Sequence, residues 1–214
     1  MKFWLTAILL GGVAYCVSEG ANARGIAVKA TTSYAQMPVQ GSAEPPVGYI
    51  EFCANNPADC LPHGGNTAEV KLSGQKWREL LAVNKGVNSS IKPMSDMDQY
   101  HVIERWTYPG SGKGDCEDYV LLKQRKLLEL GWPMSDLLIT VVRDENGEGH
   151  AVLTVRTSSG DLILDNKHSR VKTWERTPYT YIKRQSAADP RRWESLIPTK
   201  HGPTVAAAGT DARK

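Results

Sequence analysis

No single sign of charge dominates this sequence. Its 26 Lys and Arg stand against 23 Asp and Glu, a net charge of +3 with histidine neutral. No basic run carries interleaved aromatics, so nothing points to a nucleic-acid surface. No internal repeat is apparent. Cysteine is scarce, four in 214 residues, and a chain of that length buries a core without covalent staples. Long apolar runs are also missing, apart from Phe3–Val17, which is too short and too rich in glycine for a comfortable membrane span. What remains is 41% hydrophobic and 23% charged, ordinary for a soluble globular protein.

The one apolar run has a different meaning. Lys2 precedes it, and Ala21-Asn22-Ala23 has the small-x-small pattern of a signal peptidase site, so residues 1–23 read as a secretory signal peptide cut near Ala23. The mature chain is then expected in the periplasm or beyond, and losing Lys2 and Glu19 leaves its net charge at +3. Cys16 lies in the run, but Tyr15 before it fits a lipoprotein site poorly. Export changes the reading of the other cysteines. Cys53 and Cys60 frame the polar loop CANNPADC, and in an oxidising compartment that spacing predicts a local disulfide. A metal there would want more ligands than the nearby His63. Cys116 is left over, either an inert buried thiol or a reactive one.

Residues 24–47, with Pro38, Pro45 and Pro46 among small polar residues, read as a flexible leader, and 199–214 as a disordered tail. Between them, 48–198 form one domain. Val70, Trp77, Leu80, Leu81, Val87 and Ile91 recur at mostly helical spacing over 67–91, and Pro93 ends that helix. A second helix is expected from about Cys116 to Leu130, stopped by Gly131. The period then becomes two. Strands are expected at 137–143, 150–157 and 162–166, joined by turns at DENGEG and SSGD, with a fourth at 179–185. N-terminal helices followed by an antiparallel meander predict an α+β domain, the helices packed on the sheet.

Cys116 then sits at a helix start, where free N–H groups and the positive dipole end favour the thiolate. Gly112 and Gly114 let the backbone approach closely. Asp115, Glu117 and Asp118 oppose this, because like charge raises a thiol's pKa. They need a counterion or a separate reason, such as favouring the helix dipole. His150 opens one strand and Asp165 closes the next. A hairpin turning around Gly160 would make residues summing to about 315 face one another, putting the carboxylate opposite the imidazole with Cβ atoms roughly 5 Å apart. Cys116 as nucleophile, His150 as base and Asp165 as orienting acid would form a nucleophilic triad. His63, His101, His168 and His201 compete for the base, but none has a carboxylate facing it from an adjacent strand. The Cys116 N–H is expected in the oxyanion hole. Asn84 and Asn88, four apart on the first helix, are candidates to line the cleft, with solvated-face or capping roles as the alternative.

GDCEDYVLLKQRKLLELG, then GHAVLTV, then GDLILDN resemble, in that order, the bacterial transglutaminase-like cysteine proteinase family. Its best-known relatives are LapG-type periplasmic proteases that cut large surface adhesins. The resemblance runs from about Trp77 to Trp174. It implies a papain-like, transglutaminase-type core, a thiol protease acting through a thioester acyl-enzyme, and the same roles for Cys116, His150 and Asp165. It also implies calcium beside the nucleophile, with Asp115 and Glu117 as first ligands and Asp118 as a further one, although no complete EF-hand loop is present. Trp106 is a candidate second oxyanion donor, since related enzymes use an indole N–H, with core packing as the alternative. The expected partner is a protein substrate, with no nucleic acid and no stable membrane span. Acyl transfer to an amine or deamidation is the alternative reaction, and a non-catalytic binding module of the same fold is the alternative class.

Overall fold

Two hydrophobic periods, 3.6 and then 2, set the layers of this molecule. The computed structural model describes residues 36–62 and 68–197. The signal segment, His63, the tail and His201 lie outside them. Helix α1 is Val47–Asn55. Helix α2 is Gly74–Ser90, started by Ser73, whose hydroxyl accepts the Lys76 N–H at 3.1 Å. It buries Leu80, Val83, Asn84 and Val87, one stripe at helical spacing. The helix therefore begins seven residues after the expected start at 67. Val70 instead bridges Thr157 of the sheet.

A short helix α3, Asp96–Tyr100, precedes α4, Cys116–Glu129. Helix α4 ends in a Schellman pattern. Gly131, at φ 77°, donates to Leu128 O at 2.9 Å, and the Trp132 N–H reaches back to Leu127 O at 3.1 Å. The two-residue strands β2, Lys92–Pro93, and β3, Lys113–Gly114, pair in parallel and fix the approach to α4.

The main sheet has seven strands. These are β1 (Val39–Ala43), β4 (Leu137–Arg143), β5 (Gly149–Thr157), β6 (Gly160–Leu164), β7 (Lys172–Thr173), β8 (Thr180–Gln185) and β9 (Trp193–Leu196). Their order is β1-β9-β8-β4-β5-β6-β7, and every pairing is antiparallel. The four expected strands are β4, β5, β6 and β8, and the domain is α+β with helices on one face. Alternation divides the side chains. Leu137, Ile139, Leu153, Val155, Leu162 and Leu164 form a core with Leu80, Val120 and Leu127 from the helices. Val142, Val152, Ile163, Trp174, Tyr179 and Tyr181 form a second cluster with Met37 and Leu196.

Sequence reading placed 24–47 in a leader. Of that stretch, residues 36–47 are described, and they lie on the domain. Met37 is buried and donates its N–H to Asp161 Oδ2 at 2.9 Å, and β1 pairs with β9. Isolated composition could not reveal that partner strand, which is about 150 residues away. Cys53 and Cys60 form a disulfide that joins the last turn of α1 to the turn at Pro57–Cys60.

Candidate active site

The loop before α4 brings the nucleophile candidate to the sheet. Asp115 is the N-cap residue, and Cys116 is the first residue of α4. Gly114 makes this start narrow, since a Cβ there would lie 2.8 Å from Asp118 Cβ. Cys116 keeps part of its surface open. The thiol donates to Glu117 Oε2 at 3.0 Å. Burial of the sulfur pushes the thiol well above its ordinary range, and the Glu117 carboxylate adds to that. The helix dipole alone therefore does not deliver a thiolate here.

His150 is buried at the start of β5, opposite Val142 of β4. Its Nε2 meets Asp165 Oδ1 at 2.9 Å, and its buried Nδ1 has no hydrogen-bond partner among the described residues. The register differs from the expected one. Leu153 faces Leu164 and Thr157 faces Gly160, so facing residues sum to 317. The turn lies at Ser158–Ser159, ahead of Gly160. Asp165 is thus two positions from the residue directly across from His150. It stays on the same side of the sheet because side chains alternate with period two, and it spans the offset with its side chain.

Three further groups hold Asp165. Lys167 N–H donates to Oδ1 at 2.9 Å, Tyr179 O–H donates to Oδ2, and Asn88 Nδ2 donates to the Asp165 carbonyl at 2.8 Å. Burial pushes this carboxyl up, but the His150 and Tyr179 hydrogen bonds outweigh it and leave it below the usual carboxylate range. Asn84 Nδ2 donates to Ser169 O at 3.0 Å, so both asparagines tie α2 to the loop after β6 and neither lines the hollows at Cys116. His168 packs near the Tyr179 ring, and His101 is the left-handed C-cap of α3.

Two hollows meet at a wall made by Asp115, Cys116, Gly149 and His150. One, of about 530 Å³, continues past Val47, Ile103, Trp106 and Lys183. The other, of about 380 Å³, continues past Met94, Asp98 and Lys167. Trp106 borders the first, but its indole N–H is committed to Glu104 Oε1 at 2.7 Å.

The acids separate into two groups. Oxygens of Asp96, Asp115 and Glu117 lie within 4.8 Å of one another. Burial raises all three carboxyls, and Glu117, with Asp115 beside it, is pushed up to about 8. Asp118 is turned elsewhere. It accepts the Thr107 N–H at 3.0 Å and is pushed up to about 7 by burial. Asp115 Oδ1 is a buried carboxylate oxygen without a hydrogen-bond partner among the described residues. Three converging carboxylates, one with a free oxygen, suit a hard cation such as calcium. Sequence reading missed Asp96 because it lies 19 residues before Asp115, and it is the β2–β3 pairing, with the Asp96 N–H donating to Asp115 Oδ2 at 3.3 Å, that joins the two loops. It missed Tyr179 because a tyrosine in a strand reads as core.

A model of the bacterial transglutaminase-like cysteine proteinase family matches residues 39–201. Solved structures of Legionella pneumophila LapG are among those that match this chain. The calcium-bound form has 24% identity and a TM-score of 0.49, and the match covers 64% of this chain and 77% of that one. A second has 26% identity and a TM-score of 0.46, covering 52% and 65%. An EGTA-treated form has 24% identity and a TM-score of 0.48, covering 58% and 72%. Among curated proteins, none matches.

Proposed function

Because the chain belongs to the bacterial transglutaminase-like cysteine proteinase family and is a cysteine peptidase, we propose that it hydrolyses an exported protein substrate through Cys116, His150 and Asp165. The observation that carries this reading is the His150 Nε2 contact with Asp165 at 2.9 Å, which leaves Nδ1 free beside the wall shared with Cys116.

In this mechanism Nδ1 takes the thiol proton as Sγ attacks the scissile carbonyl. The N–H of Cys116, at the positive end of α4, donates to the oxyanion. The imidazolium then protonates the leaving amine, and a thioester remains. Water, deprotonated by Nδ1, attacks the thioester and releases the second product with the free thiol. Asp165 stays ionised and fixes the ring, itself fixed by Tyr179 and the Lys167 N–H. The substrate runs as an extended segment from one hollow to the other across Cys116.

Asp96, Asp115 and Glu117 are the residues that would hold calcium. The ion would supply positive charge that offsets three carboxylates and would engage Glu117, the present acceptor of the thiol proton. Asp118 instead acts within the protein, holding Thr107. We place the site of action outside the cytoplasm, after cleavage near Ala23. The Cys53–Cys60 disulfide is consistent with that compartment.

The test is cleavage of a proteome-derived peptide library by the secreted chain, read by mass spectrometry with lysine present as an amine acceptor. New carboxyl termini are expected, without lysine adducts, from a protein whose intact mass begins at Arg24. Cys116→Ala and His150→Ala should each remove turnover while keeping the wild-type fold. Full turnover by Cys116→Ala would sink the mechanism, and lysine adducts would replace hydrolysis by acyl transfer.

A further inference from the structure

The antiparallel ladder between β5 and β6 stops short of the residues it supports. Its pairs run from Thr157 with Gly160 to Leu153 with Leu164, and none includes His150 or Asp165. His150 lies three residues beyond the last pair, and continued register would set Lys167 opposite it. The chain instead leaves β6 at Leu164 and turns. In that turn Asp165 Oδ1 accepts the Lys167 N–H at 2.9 Å, and the same oxygen meets His150 Nε2 at 2.9 Å.

Side chains span the opening. Lys167 Nζ donates to Asp144 Oδ2 at 2.6 Å. Asp144 follows β4 and begins the turn that leads into β5 and His150. Its Oδ1 accepts the N–H groups of Asn146 and Glu148, both at 2.9 Å, and its own N–H donates to Glu148 O at 2.9 Å. The Asp144 side chain is 1% exposed and that of Lys167 is 38% exposed. The carboxylate is therefore fixed by its own turn, and the lysine comes to it. Gly149, His150, Asn166 and Lys167 all line the hollow of about 380 Å³ beside Cys116. Asn88 and Asn84 hold the loop after β6 to α2, through the carbonyls of Asp165 and Ser169. Lys167 holds that loop to the β4–β5 turn.

We propose that Lys167 and Asp144 are positioning residues. Their ion pair is a clasp that closes the open end of the β5–β6 ladder and keeps the Asp165 carboxylate on the His150 ring. This role rests on the Cys116–His150–Asp165 reading above. The two loops carry the base and its orienting acid, and a shift of about 1 Å between such groups can cost about a hundredfold in rate. The same pair adds little to global stability, because water reaches one partner and screens it. A clasp and a merely stabilising pair therefore differ in what their removal changes.

The test uses the full mature chain in calcium-containing buffer. The proteins are wild type, Lys167→Met, Lys167→Arg, Asp144→Asn, and Lys167→Met combined with Asp144→Asn. Methionine keeps the backbone N–H on Asp165, and asparagine keeps an Oδ1 acceptor for the turn. Exchange of the His150 Nε2–H with solvent is followed by NMR, an arm that needs no substrate. Thermal melts are recorded, with kcat and KM on a peptide cleaved from the library.

The Nε2–H should exchange about tenfold faster or more in Lys167→Met and in Asp144→Asn. Combining them should add nothing, since each removes the same contact. Lys167→Arg should restore wild-type exchange, because a guanidinium can engage the same carboxylate. Tm should stay close to wild type, and kcat should fall with KM unchanged. Wild-type exchange in Lys167→Met overturns the proposal, and so does a raised KM with kcat intact. Loss of folding in both single variants would make the pair structural and overturn it too. Iodoacetamide labelling of wild-type Cys116 at pH 6, run alongside, separates the two readings. Labelling no faster than that of a free peptide thiol would defeat the triad itself. Fast labelling with unmoved Nε2–H exchange in the variants would defeat only the clasp.

Discussion

Asp165 carries more of the site than its sequence position implies. A carboxylate in a buried place is held ionised only by donors, and here His150, Tyr179 and the Lys167 N–H provide them. Tyr179→Phe removes one donor and little volume. A hydrogen bond to a charged group contributes about 1.5–3 kcal/mol, so peptide turnover should fall about tenfold or more, with the ring less firmly oriented. The stability effect has a defined pH window. The folded Asp165 carboxyl lies below its unfolded value, so its contribution is present above about pH 3.9 and is lost as pH falls through the folded value. Urea melts should show the Tyr179→Phe deficit in full at pH 7 and a shrinking deficit below pH 4. An equal deficit at both pH values would mean that Tyr179 acts through packing alone.

The start of α4 is where elements decide chemistry. Gly114 pairs with Pro93 across β2 and β3, and its open side is filled by Asp118. Gly114→Ala should push α4 away from β5, at a cost of about 1–3 kcal/mol for overpacking, and should slow Cys116 labelling by iodoacetamide. A urea midpoint and a labelling rate both like wild type would show that the start of α4 has room to yield. Such junctions also mark where the sequence was legible. The α4 boundaries and the strand at Leu137–Arg143 followed from period, caps and glycine, all local signals. The β5–β6 register was off by two, because a turn centre depends on which serine or glycine bends. Helix α1 and strands β1 and β9 went unread, being short and dependent on distant partners. Cys116, His150 and Asp165 could be put forward from sequence because each lies at the end of a strongly patterned element, and the structure brings His150 and Asp165 within hydrogen-bonding distance. Asp96 could not, since an acid in a short helix looks like surface.

At the scale of the whole molecule, the acids join segments that the main sheet leaves separate. Asp96 belongs to α3, while Asp115 and Glu117 belong to the α4 start, so a cation among them would tie the 96–105 segment to the helix that begins at Cys116. The unfolded chain has no such convergence. An ion bound only by the native state adds stability by mass action, about 2.7 kcal/mol when free calcium is a hundredfold above its Kd. For a domain of this size that corresponds to several degrees in Tm. A melt in chelator should therefore fall several degrees below one in calcium, with slower Cys116 labelling in chelator. Magnesium should restore neither, since it demands a smaller octahedral shell and keeps its waters. The variants divide along the geometry. Asp96→Ala should abolish the calcium shift, because its oxygen lies with those of Asp115 and Glu117. Asp118→Ala should lower Tm through the lost Thr107 hydrogen bond and still respond to calcium. A calcium shift that survives Asp96→Ala but disappears in Asp118→Ala would place the ion on the other side of α4. No shift in wild type would leave the three acids as a strained cluster whose repulsion the fold tolerates for another reason.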